Sequence, residues 1–296
     1  MNSPIFRASG RCAAFGAFLY SAFNIHAATF VWDGTIGNWE TPQKWTNGPG
    51  GFPGNNQNNP DTVQVGSGSV TVSRAIAHNN LTVQLSGGSL VLDANFQPGK
   101  AIEVSGGILD VIANQANAAV NATGGTITGT GMVGGNAAVT FGSGSTHAPG
   151  GVGVVGTQSI GQNSVYNTGS IFSWDISGAT AFDQVSQTSA QVNGGAVVVN
   201  VLGGINFSDT FWNTNRAFQV ANFQNGGWFT SLSLLGATVG GNFVLGNPDN
   251  NDQVTKNYIY WNTNAPDTFS AVPEPGNALA GLLLGAGLWR RRRSVK

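Results

Sequence analysis

Hydrolysis of a glycosidic bond asks for two carboxyl groups flanking that bond, roughly 5–10 Å apart. Asp93 and Asp110 are the pair whose spacing invites this reading, because they lie 17 residues apart, close to the period of an internal repeat. Yet Asp93 follows the apolar run "SLVL" and Asp110 sits inside "ILDVI", with no basic or aromatic cluster beside either. They read better as solvent-facing strand residues, and no catalytic residue is assigned. The histidines outside the N-terminal segment, His78 and His147, stand apart from each other and from any nucleophile-like serine, so a Ser–His–Asp triad is unsupported.

Trp32, Trp39 and Trp45 are spaced seven and six residues apart. Exposed indoles at such intervals would stack on pyranose rings. Buried ones, next to "NGPGGFPGNNQNNP", would instead seal the open end of a repetitive fold. In "GNPDNNDQ", Asp249 and Asp252, with Asn250 and Asn251 between them, offer oxygen ligands for Ca²⁺. Their order does not match an EF-hand, and Asn/Asp-rich turns also arise because these side chains bond to local backbone. No zinc spacing occurs. The glycine-rich runs lack the lysine and the strand–loop–helix setting of a phosphate loop. No cofactor is therefore expected.

The elements that position these residues follow from composition. Of 296 residues, 44 are Gly and 41% are hydrophobic, while only 8% are charged. A disordered chain is polar and charged, so this one has a core to bury and many turns to make. Between the two tails lie five basic and twelve acidic residues, giving that body a charge near −7. Such a surface repels phosphates, and nucleic acid is not expected as a partner. The only cysteine, Cys12, lies in the N-terminal tail. A mature chain without it has neither disulfide nor thiolate metal site.

Both tails read as targeting segments. Arg7 and Arg11 precede the apolar "CAAFGAFLYSAF", and "NIHA" leads to a small-residue exit with Ile25 and Ala27 at the subsite positions. This is the order of a secretory signal peptide, residues 1–27, cleaved after Ala27. At the other end, Asn277 to Trp289 is an apolar run of 13 residues, about 20 Å long as a helix, against a hydrocarbon core of about 30 Å. Arg290, Arg291, Arg292 and Arg293 hold its far side in the cytoplasm. Pro273 and Pro275 keep the preceding strip extended. The ordered set Val272, Pro273, Glu274, Pro275, Gly276, a short apolar helix and an Arg cluster (residues 271–296) resembles the PEP-CTERM sorting signal of Gram-negative bacteria. The resemblance implies an exosortase as processing partner and a transient hold on the inner membrane. Cleavage near the Pro-Glu-Pro would follow, with delivery to the cell surface or extracellular space, where such proteins accompany exopolysaccharide.

Between the tails, short apolar runs alternate at period two: "TVQV", "VTVS", "LTVQL", "SLVL", "AIEV". That is the signature of half-buried strands. "SGGSL" from Ser86, "SGGIL" from Ser105 and "TGGTI" from Thr123 recur at spacings of 19 and 18 residues. Equal spacing stacks equivalent strands into one column with a shared core, which predicts an all-β chain whose coils form a parallel β-solenoid. An antiparallel meander with the same turns is the alternative. The segments expected are an N-terminal cap over 28–60, four or five coils over 61–148, and a C-terminal β region over 149–270, built either as wider coils or as a closing β-sandwich. "FVWDGTIGNWETPQKW", "DTVQVG" and "HAPGGVGVVGTQSI … IFSWDISG … FDQV" are similar to bacterial proteins with autotransporter-associated β-strand repeats, although no C-terminal barrel follows them here. Together these features point to a secreted, non-catalytic surface or matrix protein associated with polysaccharide. The rival is a polysaccharide-binding module or polysaccharide-degrading enzyme on the same scaffold.

Overall fold

The computed structural model describes residues 27–48, 50–55, 59–113, 118–161, 163–187, 190–221, 229–235, 241–246, 258–263 and 270–272. The signal segment, the Asp249–Asp252 loop, Pro273–Gly276, the short C-terminal helix and the arginine cluster all lie outside them.

The period-two alternation becomes a parallel β-solenoid. On one face, Thr62–Val65 pairs with residues 82–85 of the strand Ile76–Leu92, and these with residues 101–104 of Phe96–Val111. The ladder continues through Ala119–Ala122, Val139–Phe141, Ser164–Tyr166 and Ala190–Val192. A second face stacks Ile36–Asn38, Ser69–Val72, the ends of the two long strands, Thr126–Gly129, Thr146–Pro149, Ile171–Gly178, Ala196–Val201 and Ser231–Leu235. Every pairing between successive coils on these faces is parallel, which excludes the meander.

Alternate residues of each strand point inward and form columns along the axis. One column is Val65, Leu85, Val104, Ala122, Phe141, Tyr166 and Val192; another is Val70, Leu90, Leu109, Ile127, His147, Phe172 and Val197. All are buried. The glycine pairs make the stacking possible. Gly88, Gly107 and Gly125 have φ of 68°, 71° and 68°, a region that costs a residue bearing a Cβ. A Cβ on Gly107 would also lie 2.5 Å from the Gly88 carbonyl oxygen of the coil below. Two separate constraints thus demand glycine at one point of each coil.

Up to Phe141 the coils advance by 18 to 20 residues; from Phe141 to Tyr166 and on to Val192 they advance by 25 and 26. The extra residues build a third side, a three-stranded parallel sheet of Met132–Val133, Thr157–Ile160 and Gln184–Ser186. The ladder therefore runs straight through the boundary expected at 148/149. The two possibilities left open for the C-terminal region both occur, in sequence. Wider coils come first. A four-stranded sheet of Asn242–Leu245, Tyr258–Asn262, Arg216–Gln219 and Ser270–Val272 follows. Because Ala271 and Val272 pair with Ala217 and Phe218, the ordered body extends past residue 270.

Aromatic clusters fill both ends. At the N-terminus, Trp45–Thr46 runs antiparallel to Thr29–Trp32, which on its other side begins the parallel ladder. At the C-terminal end Trp212, Phe218, Phe243 and Trp261 pack together beside Trp174.

Candidate functional site

The tryptophans that offered a sugar platform are core residues. Trp32, Trp39 and Trp45 are 4%, 0% and 7% exposed, so none presents a ring face to solvent. Trp45 sits edge-on to both others at 4.9 Å, and Trp39 meets Phe96 at 5.0 Å. Each indole N–H is satisfied internally: Trp32 donates to the Thr35 carbonyl, Trp39 to Pro53 and Trp45 to Trp39. An indole buried with its N–H paired closes an end. The stacking platform is corrected to a cap.

Asp93 and Asp110 do not meet across a cleft. In the ladder Asp110 stands beside Val91, not Asp93, which falls two residues further along and is exposed. Asp110 points outward between the inward Leu109 and Val111, and partial burial raises its pKa. Nor do the histidines meet. His78 is buried in a corner, where its Nδ1 accepts the Asn80 amide. His147 occupies a core position several coils away, between Ile127 and Phe172.

Sequence reasoning missed the buried polar chain built around His147. Its Nδ1 lies 2.7 Å from the Tyr166 hydroxyl and its Nε2 2.8 Å from Gln158 Oε1, while Gln158 Nε2 donates to the Thr128 carbonyl. A carboxamide oxygen only accepts, so Nε2 carries the proton and Nδ1 accepts from Tyr166. Burial lowers the His147 pKa to about 4, so the ring is neutral. Phe141 stacks nearly parallel to both rings, 4.7 Å from His147 and 4.5 Å from Tyr166. Fully enclosed, this chain positions strands; its signal in the sequence was the alternation that puts His147 on the Ile127 side.

A second buried pair holds the glycine loop after Pro149. Asp183 accepts the amides of Gly156 at 2.7 Å and Asp175 at 2.9 Å, and burial raises its pKa to about 9. Asp175 is also buried, and no donor reaches either of its oxygens with good geometry. The Asn200 side chain and the amides of Gly153 and Val154 lie near enough to offset part of the desolvation that raises its pKa. Among the described residues, no group of three or more His, Cys, Asp or Glu side chains is placed to hold a metal ion.

Two grooves mark the outside. The smaller, about 390 Å³, follows the outward row Val31, Gln64, Gln84 and Glu103, with a Gln64–Gln84 side-chain hydrogen bond of 3.1 Å between coils. The larger, about 530 Å³, lies over the third side. There Met132, Ser159 and Ser186 form one transverse row, and Thr157 pairs with Gln184, whose Nε2 reaches the Gln219 carbonyl at 3.3 Å. Among the described residues, no charged side chain lines this larger groove. Its hydroxyls and amides can hydrogen-bond a ligand in either sense.

Compared with known proteins, the chain matches no family model and no curated protein. Among the described residues no helix is long and apolar enough to cross a membrane.

Proposed function

We propose that this chain is an exported, exosortase-processed surface or matrix protein that acts by binding rather than catalysis and associates with extracellular polysaccharide. The observation that carries this reading is the chemistry of the column's outer rows. Gln64, Gln84, Asn121 and Thr140 recur on one face, and Thr157, Ser159, Gln184 and Ser186 stand together on another. Uncharged donors and acceptors at regular intervals suit a hydrated sugar polymer, whose hydroxyls also both donate and accept. The separation of Asp93 from Asp110 in the ladder favours binding over hydrolysis at the one carboxylate pair that the repeat period suggested. Export rests on the two tails and on their resemblance to a signal peptide and a PEP-CTERM signal.

The test is the intact mass and location of the native protein. A product lacking residues 1–27 and everything beyond the Pro273–Pro275 region, recovered from the outer matrix, is the expected result. A full-length chain in the cytosol would overturn the proposal.

A further inference from the structure

We infer that the larger groove is a binding site for a single strand of an uncharged polysaccharide running along the solenoid axis. This inference rests on the polysaccharide reading above and adds the place, the orientation and the charge class of the ligand.

Orientation follows from the repeat. Met132, Ser159 and Ser186 are in register on three successive strands, and so are Thr157 and Gln184 on two. Neighbouring strands lie about 4.8 Å apart, so the groove presents small or polar side chains at each step along the axis. A polymer of similar units laid across the strands meets successive steps along its length, whereas a small molecule meets only one.

Charge class follows from the lining. The polar groups are hydroxyls and carboxamides, and the lining holds neither a cation to pair with a uronate or sulfate nor a carboxylate to pair with an amine. An anionic polymer would also meet a body of net charge near −7. Apolar surface comes from Met132, Ile160, Val220 and Ala221, which can take the C–H faces of sugar rings.

The groove is partly pre-organised. Gln184 is held by its bond to the Gln219 carbonyl, and the Gln219 side chain accepts from the Tyr258 hydroxyl at 3.2 Å. Fixed donors lose less entropy on binding. A peptide adding as an extra strand fits less well, because the neighbouring backbone is already engaged. Gly131 donates to Val111 on one side, and Val185 bridges Ala221 and donates to Val220 on the other.

The experiment is affinity electrophoresis of the full chain through gels containing dextran, hydroxyethylcellulose, galactomannan, alginate or polygalacturonate. Three variants are compared with the native chain: Ser186→Trp and Ser159→Trp, which fill the groove, and Gln84→Trp, which alters only the smaller one. Thermal melts establish that all are folded. We expect retardation by at least one uncharged polymer, weakened about tenfold or more by either groove substitution and unchanged by Gln84→Trp. Retardation by the anionic polymers alone, by none, or equally in the groove-filled variants overturns the inference. The localisation of Ser186→Trp in cells separates the two levels. A variant that is exported and trimmed yet still held in the matrix sinks the groove and leaves the proposed function standing. A native chain that is never exported sinks the proposed function itself.

Discussion

Replacing Gly107 by alanine puts a Cβ into the stack of glycine pairs, and its cost divides into two parts. The residue has φ of 71°, and the left-handed region costs a Cβ-bearing residue about 1–2 kcal/mol. The new methyl also lies 2.5 Å from the Gly88 carbonyl oxygen and 2.7 Å from the Gly87 carbonyl carbon. Backbone beneath cannot swing aside as a side chain would, so the coils must separate locally, at a cost of about 1–3 kcal/mol. Gly153 supplies the control. Its φ is 81°, but nothing lies within 4 Å of the point a Cβ would occupy, so Gly153→Ala carries the dihedral cost alone. Both changes stiffen the unfolded chain equally, returning about 0.4–1 kcal/mol. Urea unfolding followed by tryptophan fluorescence should therefore place Gly107→Ala about 2 kcal/mol below Gly153→Ala. Agreement between the two variants to within about 0.5 kcal/mol would refute the claim that coil-to-coil contact, and not backbone conformation alone, selects glycine here.

Protonating His147 should weaken the fold in acid. Its folded pKa of about 4 lies below the ordinary 6.5, so the unfolded chain binds the extra proton first, and stability is lost as pH falls through that window by roughly 3 kcal/mol. Asp183, held above its ordinary pKa, works in the opposite sense, with stability lost as pH rises. The measurement is therefore the difference between native and His147→Gln unfolding curves from pH 7 to 4, and a flat difference would contradict the assignment. Trp39→Ala removes a ring that is 0% exposed and bonded to the Pro53 carbonyl; chemical denaturation should show a loss of about 3–5 kcal/mol. A loss under about 1 kcal/mol would mean that the indole is not part of the cap's core.

The regular part of the solenoid was legible because one physical rule repeats in it. Leu81, Val83 and Leu85 share a face, Leu90 and Leu92 share the next, and a glycine pair turns the chain between such faces every 18 to 19 residues. All of these residues sit where the alternation puts them. The wider coils were not legible, because the third side comes from strands as short as Met132–Val133, two residues long, too short to show any period. The tryptophans were ambiguous for another reason: an indole suits a sugar face and a core equally, and only the fold decides which side of the strand is wet. The larger groove escaped entirely. Its walls come from segments around 132, 157, 184 and 219, each ordinary in isolation, and only coil register brings Ser159 above Met132 and Ser186 above Ser159.

The reversed strand Trp45–Thr46 has a consequence for assembly. A parallel column grows by templating, since the free edge of its first coil is the mould for one more. Here part of that edge is already occupied by a segment running the other way, with Val31 and Trp32 matched to Thr46 and Trp45. A second molecule arriving end-on finds that part of the mould filled, so stacking by this edge is blocked and fibre growth is discouraged.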